Sequence, residues 1–296
     1  MAEFKSGFVT IIGRTNVGKS TLINLLVGEK VAAIANKVQT TRTAIKGIVN
    51  RENSQIIFTD TPGIHKPKHK LNETMVETSF TSLKDADVIL FLIEADSKEI
   101  GRGDSRILEK IKEANKKTIL IINKIDLVKK EDLLKLIELY SKEYQFEAII
   151  PISAKEDDGI DTLLEKIIEV LPEGPAYYSE EEWTDQTERQ IVEETIREKA
   201  LKVLDDEIPH GIAVEVVTMK KRPKKDLYDI EATIYCEKKT HKAIIIGKDG
   251  EVLKKIGTMA REDIEAMMDA KVNLQLWVKV KEGWRDSSIK LNQVFH

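Results

Sequence analysis

The 296-residue sequence has one cysteine, Cys236, so no internal disulfide can form, and an oxidising compartment would offer this fold nothing it uses. A reducing cytosol is the expected setting. Nowhere do about 18 apolar residues run together without charge, so no transmembrane helix is expected. The first apolar run, Phe8 to Ile12, is too short for a signal-peptide core and leads directly into a glycine-rich turn. A strong charge of one sign is lacking too: the net charge is -4, so any surface for nucleic acid or anionic lipid must be local. Internal repeats and low-complexity tracts are absent. What is there, 41% hydrophobic and 33% charged residues, belongs to a soluble globular protein with length for two domains.

Short β-branched runs recur at Val9 to Ile12, Ile56 to Thr59, Val88 to Ile93, Thr118 to Ile122 and Ala148 to Ile152. Between them lie helical patterns at Lys19 to Val27, Asp104 to Ala114, Asp132 to Glu143 and Asp161 to Val170. This alternation predicts an α/β domain over 1–172, a mostly parallel sheet with helices on both faces. A further strand at Ala44 to Val49 should pair antiparallel with the next. Residues 173–185, with Gly174, Pro175 and several glutamates, have the composition of a linker. The remainder, 186–296, predicts an α+β domain: a helix at Glu188 to Leu204, strands at Ile212 to Thr218 and Asp229 to Cys236, two helices flanking Gly247 to Gly250, and a strand at Val272 to Val280.

Gly13-Arg14-Thr15-Asn16-Val17-Gly18-Lys19-Ser20 has G-x-x-x-x-G-K-S spacing between a strand and a helix. Such a loop turns backbone N–H groups and a helix N-terminus toward phosphate oxygens. Lys19 would reach the β- and γ-phosphates, and Ser20 would bind Mg²⁺. Asp60-Thr61-Pro62-Gly63 follows the run ending at Thr59. Asp60 would hold Mg²⁺ through a water, and Gly63 would bring its N–H to the γ-phosphate. In Asn123-Lys124-Ile125-Asp126, the Asp126 carboxylate matches the two adjacent donors of guanine, which adenine lacks. Asn123 and Lys124 would brace the surrounding loops. Ser153-Ala154-Lys155 would present the Ala154 N–H to the guanine O6.

These four segments, in register, resemble the sequential motifs of Ras-like GTPases. Gln39-Thr40-Thr41-Arg42, followed by Thr43, resembles switch I of the branch that contains Era and the tRNA-modification GTPases. The resemblance implies a threonine closing over Mg²⁺, with Thr41 favoured over Thr40. It places catalytic duty on Lys19, Thr41 and Gly63. Ile64 stands where related enzymes carry a water-orienting glutamine, and an aliphatic side chain has neither donor nor acceptor. Asn16 matches an asparagine that ligates a monovalent cation, K⁺, in relatives; the alternative is that it only stabilises the turn.

Ile244-Ile245-Ile246-Gly247-Lys248-Asp249-Gly250 resembles the G-x-x-G loop of a type II KH domain, which brings backbone close to a nucleic-acid strand. Lys242, Lys248, Lys254 and Lys255 surround it, with Asp249 opposing their charge. A Ras-like GTPase domain followed by such a domain is the architecture of the Era family. The resemblance implies GTP and GDP as ligands, the 3′ end of small-subunit ribosomal RNA and the small ribosomal subunit as partners, peripheral contact with the cytoplasmic membrane, and a monomer. Two alternatives stand beside it: an RNA scaffold that holds nucleotide with little turnover, and a tRNA-modification GTPase, whose C-terminal cysteine motif is absent. His65 and His69 lack a third ligand and are not expected to bind metal. Trp183, Trp277 and Trp284 are expected to pack rather than stack on bases.

Overall fold

Alternation along the strands decides the first layer. In β4 (Val88–Glu94), Leu90 and Leu92 enter one apolar cluster, while Ile89, Phe91 and Ile93 enter another. A strand with both faces buried needs a helix layer on each side. The computed structural model describes residues 3–34, 42, 44–64, 70–205, 208–223 and 225–287. It has a six-stranded sheet in the order β2-β3-β1-β4-β5-β6, formed by β1 (Lys5–Gly13), β2 (Ile45–Arg51), β3 (Ser54–Asp60), β4, β5 (Lys117–Asn123) and β6 (Ala148–Pro151). Only β2 runs antiparallel.

On one face, α1 (Lys19–Val27) contributes Leu22, Ile23 and Leu26, and α5 (Ile160–Val170) contributes Leu163 and Ile167. On the other, α3 (Arg102–Ala114) supplies Ile107 and Ile111, and α4 (Lys130–Glu143) supplies Leu136 and Tyr140. Helix α2 (Lys70–Thr81), which the sequence pattern did not predict, adds Val76 to that second face.

Residues 173–185 are not a free tether. Glu173 bridges to Lys5, Thr184 bridges to Gly47, and the Ile48 N–H donates to the Trp183 carbonyl at 2.9 Å. The buried Gln55 side chain accepts from the N–H groups of Tyr177 and Tyr178 at 2.7 and 3.0 Å and donates to the Tyr178 carbonyl at 2.8 Å. This segment therefore belongs to the first of two compact units, which ends at Asp185.

The second unit has a three-stranded sheet, β7 (Ala213–Lys221), β8 (Leu227–Cys236) and β9 (Lys271–Val280), with β7 antiparallel and β9 parallel to the central β8. One sheet face packs on α6 (Glu188–Val203), α7 (Lys239–Ile246) and α8 (Glu251–Met268) through Val192, Ile196, Ile245, Ile256 and Ile264. A capping box formed by Thr187 and Gln190 starts α6. Trp284 is fully buried and donates from its indole N–H to the Gly211 carbonyl at 3.2 Å, whereas Trp277 on β9 is 58% exposed. Trp277 thus departs from the expected packing role: β9 turns it away from the helices.

Candidate functional site

The signature segments meet at the carboxyl ends of β1, β3, β5 and β6, where open α/β sheets collect ligands. Between β1 and α1 the chain passes through left-handed backbone at Asn16 (φ 66) and Gly18 (φ 103), a pattern that turns successive N–H groups inward. Glycine at 18 is required twice over, because a Cβ there would also lie 2.3 Å from Asn123 Nδ2. The N-cap of α1 is Gly18, which has no side chain to cap the helix, and a helix N-terminus of this kind suits an anion.

Lys19 is 6% exposed and donates to the carbonyls of Gly13 and Arg14 at 3.1 and 2.7 Å. Burial lowers its pKa to about 8, with the charge of Asp60 opposing the shift. Ser20 Oγ donates to Asp60 Oδ2 at 3.0 Å. A hydroxyl and a carboxylate side by side suit Mg²⁺, a hard cation that takes one or two protein oxygens and fills its shell with phosphate and water. Thr61 donates to the Ile11 carbonyl at 2.7 Å, fixing the turn that follows β3.

Two side chains of these segments are engaged elsewhere. Arg14 joins the loop only through its backbone; its guanidinium turns to Asp104 Oδ1 at 3.1 Å and Ser97 Oγ at 3.3 Å. Ile64 is buried in the apolar cluster, and its N–H is committed to the Gly13 carbonyl at 3.1 Å. Neither side chain is directed at phosphate. Gln39, Thr40, Thr41 and Thr43 lie outside the described residues, as do His65 and His69; Arg42 is described and buried.

Asn123 ties the loop after β1 to the loops after β5 and β6. Its Nδ2 donates to the Val17 carbonyl at 2.9 Å, and its Oδ1 accepts from the Ala154 N–H at 3.0 Å. The Ala154 N–H expected at guanine O6 is thus held by Asn123 in this structure. Lys124, in left-handed backbone, donates to the Asn16 carbonyl at 2.9 Å and to Glu94. Ser153 Oγ donates to Asp126 Oδ1 at 2.7 Å, which orients the carboxylate, while Lys155 pairs with Glu156 at 2.8 Å. Glu94 and Asp104 were not found from the sequence; a single acid closing the apolar run of β4 is the signal that would have pointed to Glu94.

In the second unit, Gly247 to Gly250 joins α7 to α8, with Lys248, Asp249, Lys254 and Lys255 exposed and Lys242 half-buried. Gly247 has φ 75, and a Cβ there would lie 2.5 Å from Val252 Cγ2. A side chain at 247 therefore strains the fold before it meets a ligand. The apolar Ile244 beside this loop is 51% exposed.

Fold and site together define a P-loop guanine-nucleotide-binding protein joined to a KH domain. A family model described as 50S ribosome-binding GTPase matches residues 8–124, and a KH-domain model matches residues 207–285. The GTPase Era of Alkaliphilus metalliredigens is 54% identical over 97% of this chain and 97% of its own length. That of Caldicellulosiruptor saccharolyticus is 55% identical over 96% of this chain and 94% of its own. The chain belongs to the Era GTPase family and is a GTPase. Among solved structures, Era in complex with MgGDPNP and nucleotides 1506–1542 of 16S ribosomal RNA has a TM-score of 0.95 and 40% identity, covering 98% of both chains. An Aquifex aeolicus Era variant bound to GDP and tetrafluoroaluminate has a TM-score of 0.94 and 39% identity over 98% of this chain and 99% of that one.

Proposed function

We propose that this GTPase is a switch whose second unit binds the 3′ end of small-subunit ribosomal RNA during assembly of that subunit. The observation that carries this reading is the G-x-x-G loop between α7 and α8, flanked by exposed lysines, in a chain whose nucleotide loops are laced together by Asn123 and Lys124. The 40% identical Era seen with 16S ribosomal RNA supports the choice of RNA.

Residues 13–20 would hold the phosphates, with Lys19 supplying charge, and Asp126 would read guanine with Asn123, Ala154 and Lys155 around the base. Ser20, Asp60 through a water, and Thr41 would hold Mg²⁺, which neutralises phosphate charge when bound. The exposed Asn16 would help ligate K⁺ near the β- and γ-phosphates. With Ile64 committed to the core, no side chain at 64 orients the attacking water, so intrinsic turnover is slow. The same reading has a cytosolic monomer with peripheral membrane contact.

The test is fluorescence anisotropy of a labelled RNA 3′-end oligonucleotide, with the protein loaded with GDP or with a non-hydrolysable GTP analogue. Lys248→Glu with Lys255→Glu should weaken RNA binding about tenfold or more and leave GDP binding intact. Unchanged RNA affinity would remove the loop from RNA recognition. Equal affinity in the two nucleotide states would remove the switch, since a ligand that does not discriminate between conformations shifts neither.

A further inference from the structure

Strand β4 is apolar from Val88 to Ile93 and ends in an acid. Glu94 lies in register with Asn123 on the neighbouring β5, which sets its carboxylate beside the base-reading segment. Two cations flank that carboxylate. Lys124 Nζ is hydrogen-bonded to Oε1, and an Arg14 guanidinium nitrogen lies 4.0 Å from Oε2. Each cation has a second anchor: Lys124 donates to the Asn16 carbonyl at 2.9 Å, and Arg14 is held by Asp104 at 3.1 Å.

The anchor on Asn16 matters because a peptide group is planar, with C=O and N–H pointing in opposite directions. Drawing the Asn16 carbonyl toward Lys124 turns the Val17 N–H the other way. Drawing the Val17 carbonyl toward Asn123, at 2.9 Å, does the same for the Gly18 N–H. Two successive donors of the phosphate loop are thereby fixed by side chains from the end of β5, and only the first depends on a flexible ammonium. Lys124 needs something to hold it, and Glu94 is what it meets.

We infer that Glu94 is a positioning residue for the nucleotide: its carboxylate holds Lys124 on the Asn16 carbonyl, neutralises Arg14 alongside, and so sets how long a bound guanine nucleotide stays. It acts through Lys124. Replacing the carboxylate by an amide of the same shape leaves Arg14 its Asp104 partner but takes the counter-charge from Lys124 and frees the Asn16 carbonyl to turn. The Glu94 and Lys124 side chains are 23% and 34% exposed, so solvent screens the pair, and the expected effect is about fivefold.

The inference rests on the assignment of the nucleotide site, and the assay separates the two. Release of a fluorescent GDP from the full-length protein is measured for wild type, Glu94→Gln, Glu94→Asp, Lys124→Gln and the Glu94→Gln/Lys124→Gln double variant. Failure of wild type to bind the nucleotide would overturn the site assignment itself. With binding established, Glu94→Gln should release GDP about fivefold faster, and Glu94→Asp, which keeps the charge, should recover part of the loss. In the Lys124→Gln background the same change should be worth less than about twofold, because the partner is gone. The loss should fall on KM for GTP more than on kcat, which general loosening of the fold would not produce. Wild-type release by Glu94→Gln, or an equal effect in both backgrounds, would overturn the inference. If Glu94→Gln does not fold, the cycle of Glu94→Asp with Lys124→Gln decides by the same comparison.

Discussion

If Lys19 meets the nucleotide phosphates, binding should be sensitive to pH in a range where most lysines are silent. In the free protein its ammonium is buried against the Gly13 and Arg14 carbonyls, and burial brings its pKa to about 8. A β-phosphate bound beside it would add negative charge and favour the protonated form. Below pH 8 the lysine is charged before and after binding, and affinity is flat. Above pH 8 the free protein has lost the proton that the complex retains, so binding must take one up. At pH 9 about one molecule in ten is still protonated, and the dissociation constant for GDP should be about tenfold higher than at pH 7. For stability without nucleotide, the folded pKa lies below the unfolded value of 10.5, so the unfolded chain binds more protons between about pH 8 and 10.5. The contribution of this group to stability therefore rises with pH across that window. A fluorescent-GDP titration from pH 7 to 9 reads the affinity, and calorimetry in buffers of different ionisation enthalpy counts the proton. Lys19→Arg, which stays charged throughout, should bind less well but without the slope. A flat wild-type profile, or a slope of equal size in the arginine variant, would refute the reasoning.

Asp126→Asn should exchange guanine for xanthine preference in a competition assay, and Ser153→Ala, which removes the 2.7 Å bond that orients Asp126, should weaken GDP binding about fivefold without changing base preference. If Asn16 ligates a monovalent cation, GTP hydrolysis should be faster in KCl than in NaCl, and Asn16→Ala should abolish the difference. Gly18→Ala should lower stability by about 2 kcal/mol or more in thermal or urea unfolding and abolish nucleotide binding, since its Cβ would lie 2.3 Å from Asn123 Nδ2 on a backbone of φ 103.

Strands with both faces buried announce themselves as unbroken apolar runs, which is why β1, β4 and β5 were legible along with the loops at their ends. Helix α2 was not. Its inward face includes Asn72 and Ser79, 2% and 0% exposed, which interrupt the apolar repeat formed by Leu71, Met75 and Val76. Ser79 is inside because its one hydroxyl hydrogen is shared between the Pro62 and Met75 carbonyls at 2.8 and 2.9 Å, and hydropathy counts that hydroxyl only as polar. The partner of the Ala154 N–H was hidden for another reason: it is a side chain 31 residues away, brought close only by the pairing of β5 with β6. At Gly247, the repeat of glycines was visible, but the Val252 side chain that makes a Cβ intolerable there was not.

The segment from Ser179 to Thr184 lies against β2, an outermost strand of the nucleotide sheet, and occupies backbone groups of Lys46, Gly47 and Ile48. An uncovered edge strand is a template for pairing with another chain, and natural sheets are selected to hide it. The acidic, proline-bearing stretch that composition marks as a spacer thus covers part of that edge, as a guard against aggregation would. A fragment ended at Pro172 would keep every nucleotide motif and lose that guard, so it should form concentration-dependent aggregates. A fragment carried on to Asp185 should remain dispersed.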